Sequence, residues 1–493
     1  MKPRITKDNN DHDVLIMGAG FAGIAMAAEL KKAGVARFVV LEAESGIGGT
    51  WWLNRYPGCG CDVQSHLYSL SGAPNAHWSS EFAKRAEIQR YLEDIAQTQG
   101  LWPHIRLNCR VASARWDETA NGWQVVDSTG QSHYSRCLVS AVGGLARPRT
   151  PNIPGLDTFA GQTVHSQRWP DTLDVGGQRV GVIGTGASAV QFIPPVAKKA
   201  KHLTVFQRTP NWVLPKPDHP IRPIWQRLYQ HVPVFRYLKR LRLFLLLESR
   251  LPAFTRWPKL SFFHRRRALR HLRQSIQDPE LQRKLVPDYA MGCKRVLMSN
   301  DYYPALARPN VALITDPIER VTTDGIVDQT GHHHALDVLI LGTGFEATAP
   351  VPHGLVVGRH GQDLASVWDD GPSAYKGTTV AGFPNFFTLL GPNTALGHNS
   401  VLLMIEGQVR YVMAALKTMQ DKHLQSIEVK DEAQQHWQLK LDQKLERAVW
   451  SQGGCQSWYL HPKSQRNTTL WPATTITFKR HTKRFDAAAY RCK

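Results

Sequence analysis

One short glycine pattern occurs twice in this chain and constrains its fold more than any other feature. Gly18-Ala19-Gly20-Phe21-Ala22-Gly23 follows the apolar run Asp13-Val14-Leu15-Ile16-Met17, which reads as a buried parallel strand. Ile24 to Ala33 reads as an alanine-rich helix closed by Gly34, and Phe38-Val39-Val40-Leu41-Glu42 is the next strand. A strand, glycine loop, helix and second strand ending in an acid form a dinucleotide-binding unit. Gly18 permits the tight turn, Gly20 lets the backbone approach a pyrophosphate, and Gly23 lets the helix pack on the strand. The helix N-terminus faces the phosphate charge, and Glu42 is placed to accept hydrogen bonds from a ribose hydroxyl.

The second copy is Gly184-Thr185-Gly186-Ala187-Ser188-Ala189, entered from Arg179-Val180-Gly181-Val182-Ile183. Its loop closes on Ala189, which the pattern allows. Its next strand, Leu203-Thr204-Val205-Phe206, runs into Gln207-Arg208-Thr209 and carries no terminal acid. An arginine at that place suits a 2′-phosphate, and the missing carboxylate removes a repulsion. Two units predict two dinucleotides: a bound flavin, FAD, at the first and NADPH in preference to NADH at the second. The fold class is α/β, with two Rossmann-like dinucleotide-binding domains and a helical insertion.

That insertion breaks the α/β rhythm from Arg222 to about Met291. Between Arg222 and Lys284 stand 16 Lys or Arg against three acids, Glu248, Asp278 and Glu280, within a chain of net charge +20. Tyr237, Leu238, Leu241, Phe244 and Leu245 share one face of a helix, with Arg236, Lys239 and Arg240 on the other. The favoured reading is a cap packed on the NADP domain. The alternatives are a peripheral membrane contact or a lipophilic substrate entrance. No nucleic-acid module accompanies the charge, so no nucleic-acid partner is expected.

At 493 residues the chain has room for about two to four domains. The expected division is 1–150 for the first FAD part and 151–221 for the first NADP part with its linker. Then come the insertion 222–291, a second NADP part 292–379 and a C-terminal FAD part 380–493. Asp337 to Phe345 reads as a buried strand, and Ala381 to Asn393 as a late strand and turn before a helix near Ser400. Apart from the paired nucleotide units, no internal repeat is legible. His332-His333-His334 reads as an exposed turn and not a metal site, because alternate side chains on a strand point opposite ways. Met1 to Asp13 is polar, unlike a signal peptide, and no run of about 18 apolar residues predicts a transmembrane helix. The seven scattered cysteines suggest no framework and fit a reducing cytoplasm. Oligomeric state is not legible.

Two longer strings carry a family resemblance. Phe159-Ala160-Gly161-Gln162-Thr163-Val164-His165-Ser166-Gln167-Arg168-Trp169-Pro170, lying between the glycine loops, is similar to the F-x-G-x-x-x-H-x-x-x-W-P fingerprint of the Baeyer–Villiger monooxygenases. Gly48-Gly49-Thr50-Trp51-Trp52-Leu53-Asn54-Arg55-Tyr56-Pro57-Gly58-Cys59-Gly60-Cys61-Asp62 resembles a second string of the same enzymes. The likeness runs from the first glycine loop through Gly391-Pro392-Asn393. It implies a flavoenzyme that uses NADPH and O2 to turn a small lipophilic ketone into an ester or lactone through a flavin peroxide.

Carried over by residue, the resemblance implies that Gly18, Gly20, Gly23 and Glu42 bind the ADP half of FAD. Trp51, Asp62 and Tyr68 would lie near the flavin ring. Gly184, Gly186, Gln191, Arg208, Thr209 and Lys294 would hold NADPH. Arg295 matches the family's active-site arginine, with Asp62 orienting it. An arginine suits a developing oxyanion because it keeps its proton and donates in a rigid fork. Phe159, Gly161, His165 and Trp169 form the linker fingerprint, in which His165 and Trp169 would couple cofactor binding to domain movement rather than touch substrate. The loop Gly391 to Ser400 departs from the serine-rich loop of cyclic-ketone enzymes, so the ketone stays open. Trp450, Trp458, Tyr459 and Trp471 read as core or dimer packing, with pocket lining as the less favoured alternative.

The main alternative is a flavin monooxygenase that oxygenates N or S, against which Trp169 and Arg295 speak. A flavin disulfide reductase would need a cysteine pair after the first nucleotide unit, where Trp51 stands instead. A non-enzymatic basic membrane-binding protein is disfavoured by two intact nucleotide loops.

Overall fold

The computed structural model describes residues 11–348 and 351–493. The polar N-terminal segment read against a signal peptide lies, up to Asn10, outside them. Asp11–Met17 is an inner strand, parallel to Phe38–Leu41 on one side and Ser132–Ser140 on the other. All four residues of Phe38–Leu41 are buried, as expected of a strand covered on both faces. The full sheet has eight strands. In order they are Val356–Val357, Val111–Asp117, Gly122–Asp127, Ser132–Ser140, Asp11–Met17, Phe38–Leu41 and Ile105–Arg106, with Phe386–Thr388 also paired to Ser132–Ser140. Val356–Val357 pairs with Ala114 and Arg115 of this sheet, so the chain is back on the FAD side well before residue 380, the boundary drawn from sequence.

The second sheet is parallel throughout, in the order Val311–Ile314, His202–Phe206, Arg179–Ile183, Val338–Leu341 and Gln162–His165. The Asp337–Phe345 run therefore supplies a central strand of the second nucleotide domain. The histidine-bearing half of the linker string is that sheet's edge strand.

A hairpin clasp occurs twice, a repeat that the sequence reading passed over. Asp127-Ser128-Thr129-Gly130-Gln131-Ser132-His133 and Asp328-Gln329-Thr330-Gly331-His332-His333-His334 share D-x-T-G-x-x-H. In each, one carboxylate oxygen accepts from the threonine hydroxyl and from turn N–H groups. The other accepts from the histidine Nε2, at 2.9 Å from His133 and 2.8 Å from His334. Cys109 Sγ also donates to Asp127 Oδ2 at 3.1 Å, which brings three metal-ligand types together. The second clasp has the same geometry with no cysteine in its Asp–Thr–His set, so the shared role is to lock a hairpin turn. The histidine trio is accordingly only partly an exposed turn: His333–Ala335 is a strand and the His334 side chain is buried.

The insertion is helical, from Pro223–His231 through Pro279–Leu285, and it caps the NADP half only in part. The Pro233–Glu248 helix turns its basic side inward, onto the FAD half. Lys239 Nζ meets Glu81 Oε1 at 2.7 Å, and Arg240 Nη1 donates to the carbonyls of His66 at 3.0 Å and Ser69 at 2.8 Å. Leu243 and Leu247 are buried beside them, whereas Tyr237, Leu238, Leu241 and Leu245 face out. Buried carbonyls and a carboxylate recruit the cations here, since such groups must be paired. The later Phe262–Ser275 and Pro279–Leu285 helices lean on the NADP half, where His271 Nε2 donates to the Ser299 carbonyl at 2.9 Å and the Lys284 carbonyl accepts from Gln207 Nε2 at 2.8 Å. Among the described residues no helix is long and apolar enough to cross a membrane.

Candidate active site

The first glycine loop is as tight as its spacing demands. Gly18 adopts φ +99°, and a Cβ on Gly23 would stand 1.9 Å from the Gly18 carbonyl oxygen. A Cβ on Gly49 would lie 3.1 Å from Gly20 Cα, so two stretches of bare backbone face each other there. The Phe21–Lys32 helix starts with neither a side-chain cap nor an acid in its first turn. Its leading N–H groups are thus suited to phosphate oxygens. Glu42 is buried beneath the loop, and burial raises its carboxyl above the usual range. It accepts from the N–H of Ala19 at 2.6 Å and of Glu44 at 2.9 Å, so it braces the loop. Trp51 Nε1 donates to the Tyr68 hydroxyl at 3.2 Å, and Phe21 meets the Tyr68 ring edge-on at 5.1 Å. The loop, the uncapped helix and this aromatic wall fit an FAD.

The second loop repeats the arrangement. Gly184 has φ +104°, Gly186 opens onto free space, and the Ala189–Lys199 helix is also uncapped and free of acid in its first turn. Burial, and then the like charge of exposed Arg208 nearby, lowers the half-buried Lys294 ammonium. Two cations held together suit a phosphate. Thr209 offers its carbonyl to the Thr185 hydroxyl at 3.4 Å. Gln191 points elsewhere: its carboxamide is bonded to the N–H and carbonyl of Gly60, both at 3.1 Å. It therefore ties the NADP-side helix to the string that ends in Asp62.

Arg295 and Asp62 meet between these two regions. Arg295 Nε donates to Asp62 Oδ2 at 2.6 Å, and about a third of each side chain remains open, 31% and 32%. Burial alone would raise the Asp62 carboxyl, but the charge and hydrogen bond of Arg295 outweigh it and hold it below the usual value. The Arg295 guanidinium is raised by Asp62 in turn. The linker closes the seam around them. Trp169 packs on Phe192 at 5.5 Å and Tyr56 on Phe192 at 5.8 Å, joining linker, NADP-side helix and flavin-side string through one aromatic column. His165 lies edge-on to Phe345 at 6.1 Å, Phe159 is buried, and a Cβ on Gly161 would strike the Asp337 carbonyl oxygen at 2.4 Å.

Three features of the site escaped the sequence. Buried Tyr459 lies beside Arg295, and burial raises its hydroxyl to about 12 although the guanidinium opposes the rise. Trp450 and Trp471 are core, as expected, whereas Trp458 is exposed. Lys216 is a second, mostly buried cation near Asp62, its ammonium lowered by burial. Finally, Cys293 is disulfide-bonded to Cys455, which corrects the reading of seven unpaired cysteines. No spacing announces that bridge, because 162 residues separate the two. Cys59 and Cys61 are free and buried, and burial pushes the Cys59 thiol up to about 11, unlike a redox pair.

Two dinucleotide folds meeting at an Arg–Asp pair, with no cysteine pair at the flavin side, define a flavin monooxygenase that also takes a nicotinamide. Residues 15–234 match the pyridine nucleotide-disulphide oxidoreductase family model. A Baeyer–Villiger monooxygenase of Pseudomonas aeruginosa is 48% identical, over 97% of this chain and 90% of its own length. One of Streptomyces coelicolor is 43% identical, over 97% and 92%. Among solved structures, the monooxygenase OTEMO in complex with FAD and NADP superposes with TM-score 0.87 at 30% identity, covering 98% of this chain and 99% of its own. The chain belongs to the Baeyer–Villiger monooxygenases.

Proposed function

We propose that Arg295 and Asp62 form the reaction centre at which this enzyme inserts one oxygen atom of O2 beside a ketone carbonyl, giving an ester or lactone. Bound FAD would supply the O2-activating chemistry, with NADPH as the source of its electrons and water as the fate of the second oxygen atom. The observation that carries the assignment is the 2.6 Å Arg295–Asp62 pair, whose carboxylate lies on a string that Gln191 ties to the NADP-side helix. Its Nε is bound by Asp62, which leaves the Nη groups to donate to negative charge developing on oxygen. Asp62 orients the guanidinium and Tyr459 braces it. Gly18, Gly20, Gly23 and Glu42 hold the ADP half of FAD, with Trp51 and Tyr68 beside its ring. Gly184, Gly186, Arg208, Thr209 and Lys294 receive NADPH, while Gln191 acts through Gly60. His165 and Trp169 transmit movement between the halves.

In this reading 1–150 and the C-terminal part form the FAD domain, joined from Val356–Val357 onward. Segments 151–221 and 292 to about 355 form the NADP domain. The substrate is a small lipophilic ketone, a reading supported by the family and by the partly open Arg295 fork beside Asp62. The cytoplasm, where NADPH is the standing reductant, suits the activity, and contact with a membrane falls to the insertion.

The test is product analysis over a panel of ketones and sulfides, with NADPH consumption corrected for uncoupled oxidation. Ester from ketone supports the reading. Sulfoxide without any ester would assign the chain to N- or S-oxygenation.

A further inference from the structure

The insertion carries a surface that the reaction does not use. Of the 21 large apolar side chains exposed among the described residues, 14 lie between Ile224 and Phe263. A single soluble domain rarely gathers exposed apolar groups this way without a partner. On the Pro233–Glu248 helix, Val234, Leu238, Leu241 and Leu245 recur at helical spacing and are 54%, 51%, 37% and 54% exposed. Trp257, Phe262 and Phe263, at 54%, 56% and 74%, extend the patch. This stripe is outward because the basic side of the same helix is anchored inward on Glu81, Ser69 and His66.

Charge surrounds the patch. Arg242, Arg256, Lys259, Arg266, Arg270 and Arg273 are exposed, and the segment has 16 cations against three acids. Of those acids, Glu248 is held by Asn399 and Thr475 and does not offset the outward field. Outward apolar groups with a cationic surround match a surface that is apolar below and anionic above.

We infer that the insertion is a monotopic docking surface for anionic lipid bilayers. The Val234–Leu245 stripe, Trp257 and Phe262–Phe263 enter the headgroup boundary, and the exposed arginines contact lipid phosphates. The insertion also meets the segment that leads into Arg295. Glu248, at the end of the stripe's helix, binds Asn399 of the Gly391–Ser400 loop, and Phe254 stacks on Trp450 beside Gly292. A ketone dissolved in the bilayer thus reaches the enzyme on the side where the insertion meets the loop. Docking rests on the insertion's own surface, whereas this route for substrate rests on the ketone reading.

The experiment is vesicle co-sedimentation of the FAD-loaded enzyme. One set of vesicles is phosphatidylcholine alone, and the other is phosphatidylcholine mixed with phosphatidylglycerol. Binding to the mixed vesicles at low salt is expected, with weaker binding at high salt, where screening shortens to a few ångströms. L238E/L245E should reduce this binding by at least about tenfold, since each exposed leucine loses its apolar contact. R266E/R270E should also reduce it, and both variants should keep wild-type FAD content and NADPH oxidation in solution. Failure to bind mixed vesicles at low salt overturns the inference. So does unchanged binding by L238E/L245E, which would show charge acting without insertion. A wild-type dimer that L238E/L245E converts to monomer, seen by light scattering, would assign the stripe to a second copy of this chain instead. Because vesicle binding requires no ketone, its outcome is independent of the product analysis.

Discussion

Arg295 and Asp62 stand 233 positions apart in the chain and meet in a 2.6 Å hydrogen bond. Each arrives on a segment fixed by something else. Asp62 ends the Gly48–Asp62 string, which Gln191 clamps at Gly60 from the NADP side. Arg295 follows Cys293, tied to Cys455, and precedes Leu297–Met298, paired with Val213–Leu214. The pair thus registers how the two nucleotide halves are set against each other.

Replacing Arg295 tests the chemistry directly. Arg295→Ala should retain FAD and oxidise NADPH slowly while ester formation falls by at least about 10²-fold, the scale of losing one preorganised oxyanion donor. Hydrogen peroxide should appear instead. Arg295→Lys should rescue little, because a lysine lacks the planar fork and can lose its proton when buried. Ester formation near the wild-type rate in Arg295→Ala would remove the residue from the reaction.

Asp62→Asn should reduce ester formation less than Arg295→Ala, because it acts through the guanidinium. Its pH signature has a definite sign. The folded carboxyl lies below its unfolded value of about 3.9, so the pair's stability is fully present above that value. It is lost as pH falls through the lower folded value. The melting-temperature gap between wild type and Asp62→Asn should therefore be constant above about pH 5 and close in stronger acid. A gap that widens on acidification would contradict the pairing.

Arg208→Ala should weaken NADPH by about 1.5–3 kcal/mol, the worth of a hydrogen bond to a charged group, and leave NADH almost untouched. Steady-state KM for each nicotinamide measures it. Equal losses would place Arg208 away from the 2′-phosphate.

Gly20→Leu should purify colourless. Its side chain would enter the bare-backbone gap opposite Gly49 that the pyrophosphate needs. Flavin absorbance per protein reads the result, and full FAD content would refute the placement.

Thiol titration of the denatured, unreduced protein should find five groups, matching Cys59, Cys61, Cys109, Cys137 and Cys492, and seven after reduction. Cys455→Ser should lower stability by about 2–4 kcal/mol, as expected for loss of a cross-link closing a long loop. It should also depress ester formation more than FAD content, since the bridge holds the segments bearing Arg295 and Tyr459 together. Seven titratable groups before reduction would show the bridge absent.

The amino-acid sequence by itself determined both nucleotide units, the linker string and the helical nature of the insertion, whereas Arg295 and Asp62 were named only through the family resemblance. These depend on local spacing: a glycine at a tight turn, an apolar run of strand length, a period of 3.6 along a helix. Spacing of that kind survives in one dimension because neighbours in sequence supply the geometry. The insertion marks where this stops. Its amphipathic pattern correctly gave two faces, but which face turns inward depended on Glu81, Ser69 and His66, more than 150 positions away from their partners Lys239 and Arg240. Only the tertiary structure brought Tyr459 to Arg295, Gln191 to Gly60 and Cys293 to Cys455. Each of those contacts joins segments that the chain holds far apart. The energy that selects them comes from satisfying a buried polar group or closing a packed seam, which is settled by three-dimensional proximity and leaves no periodic trace in the sequence.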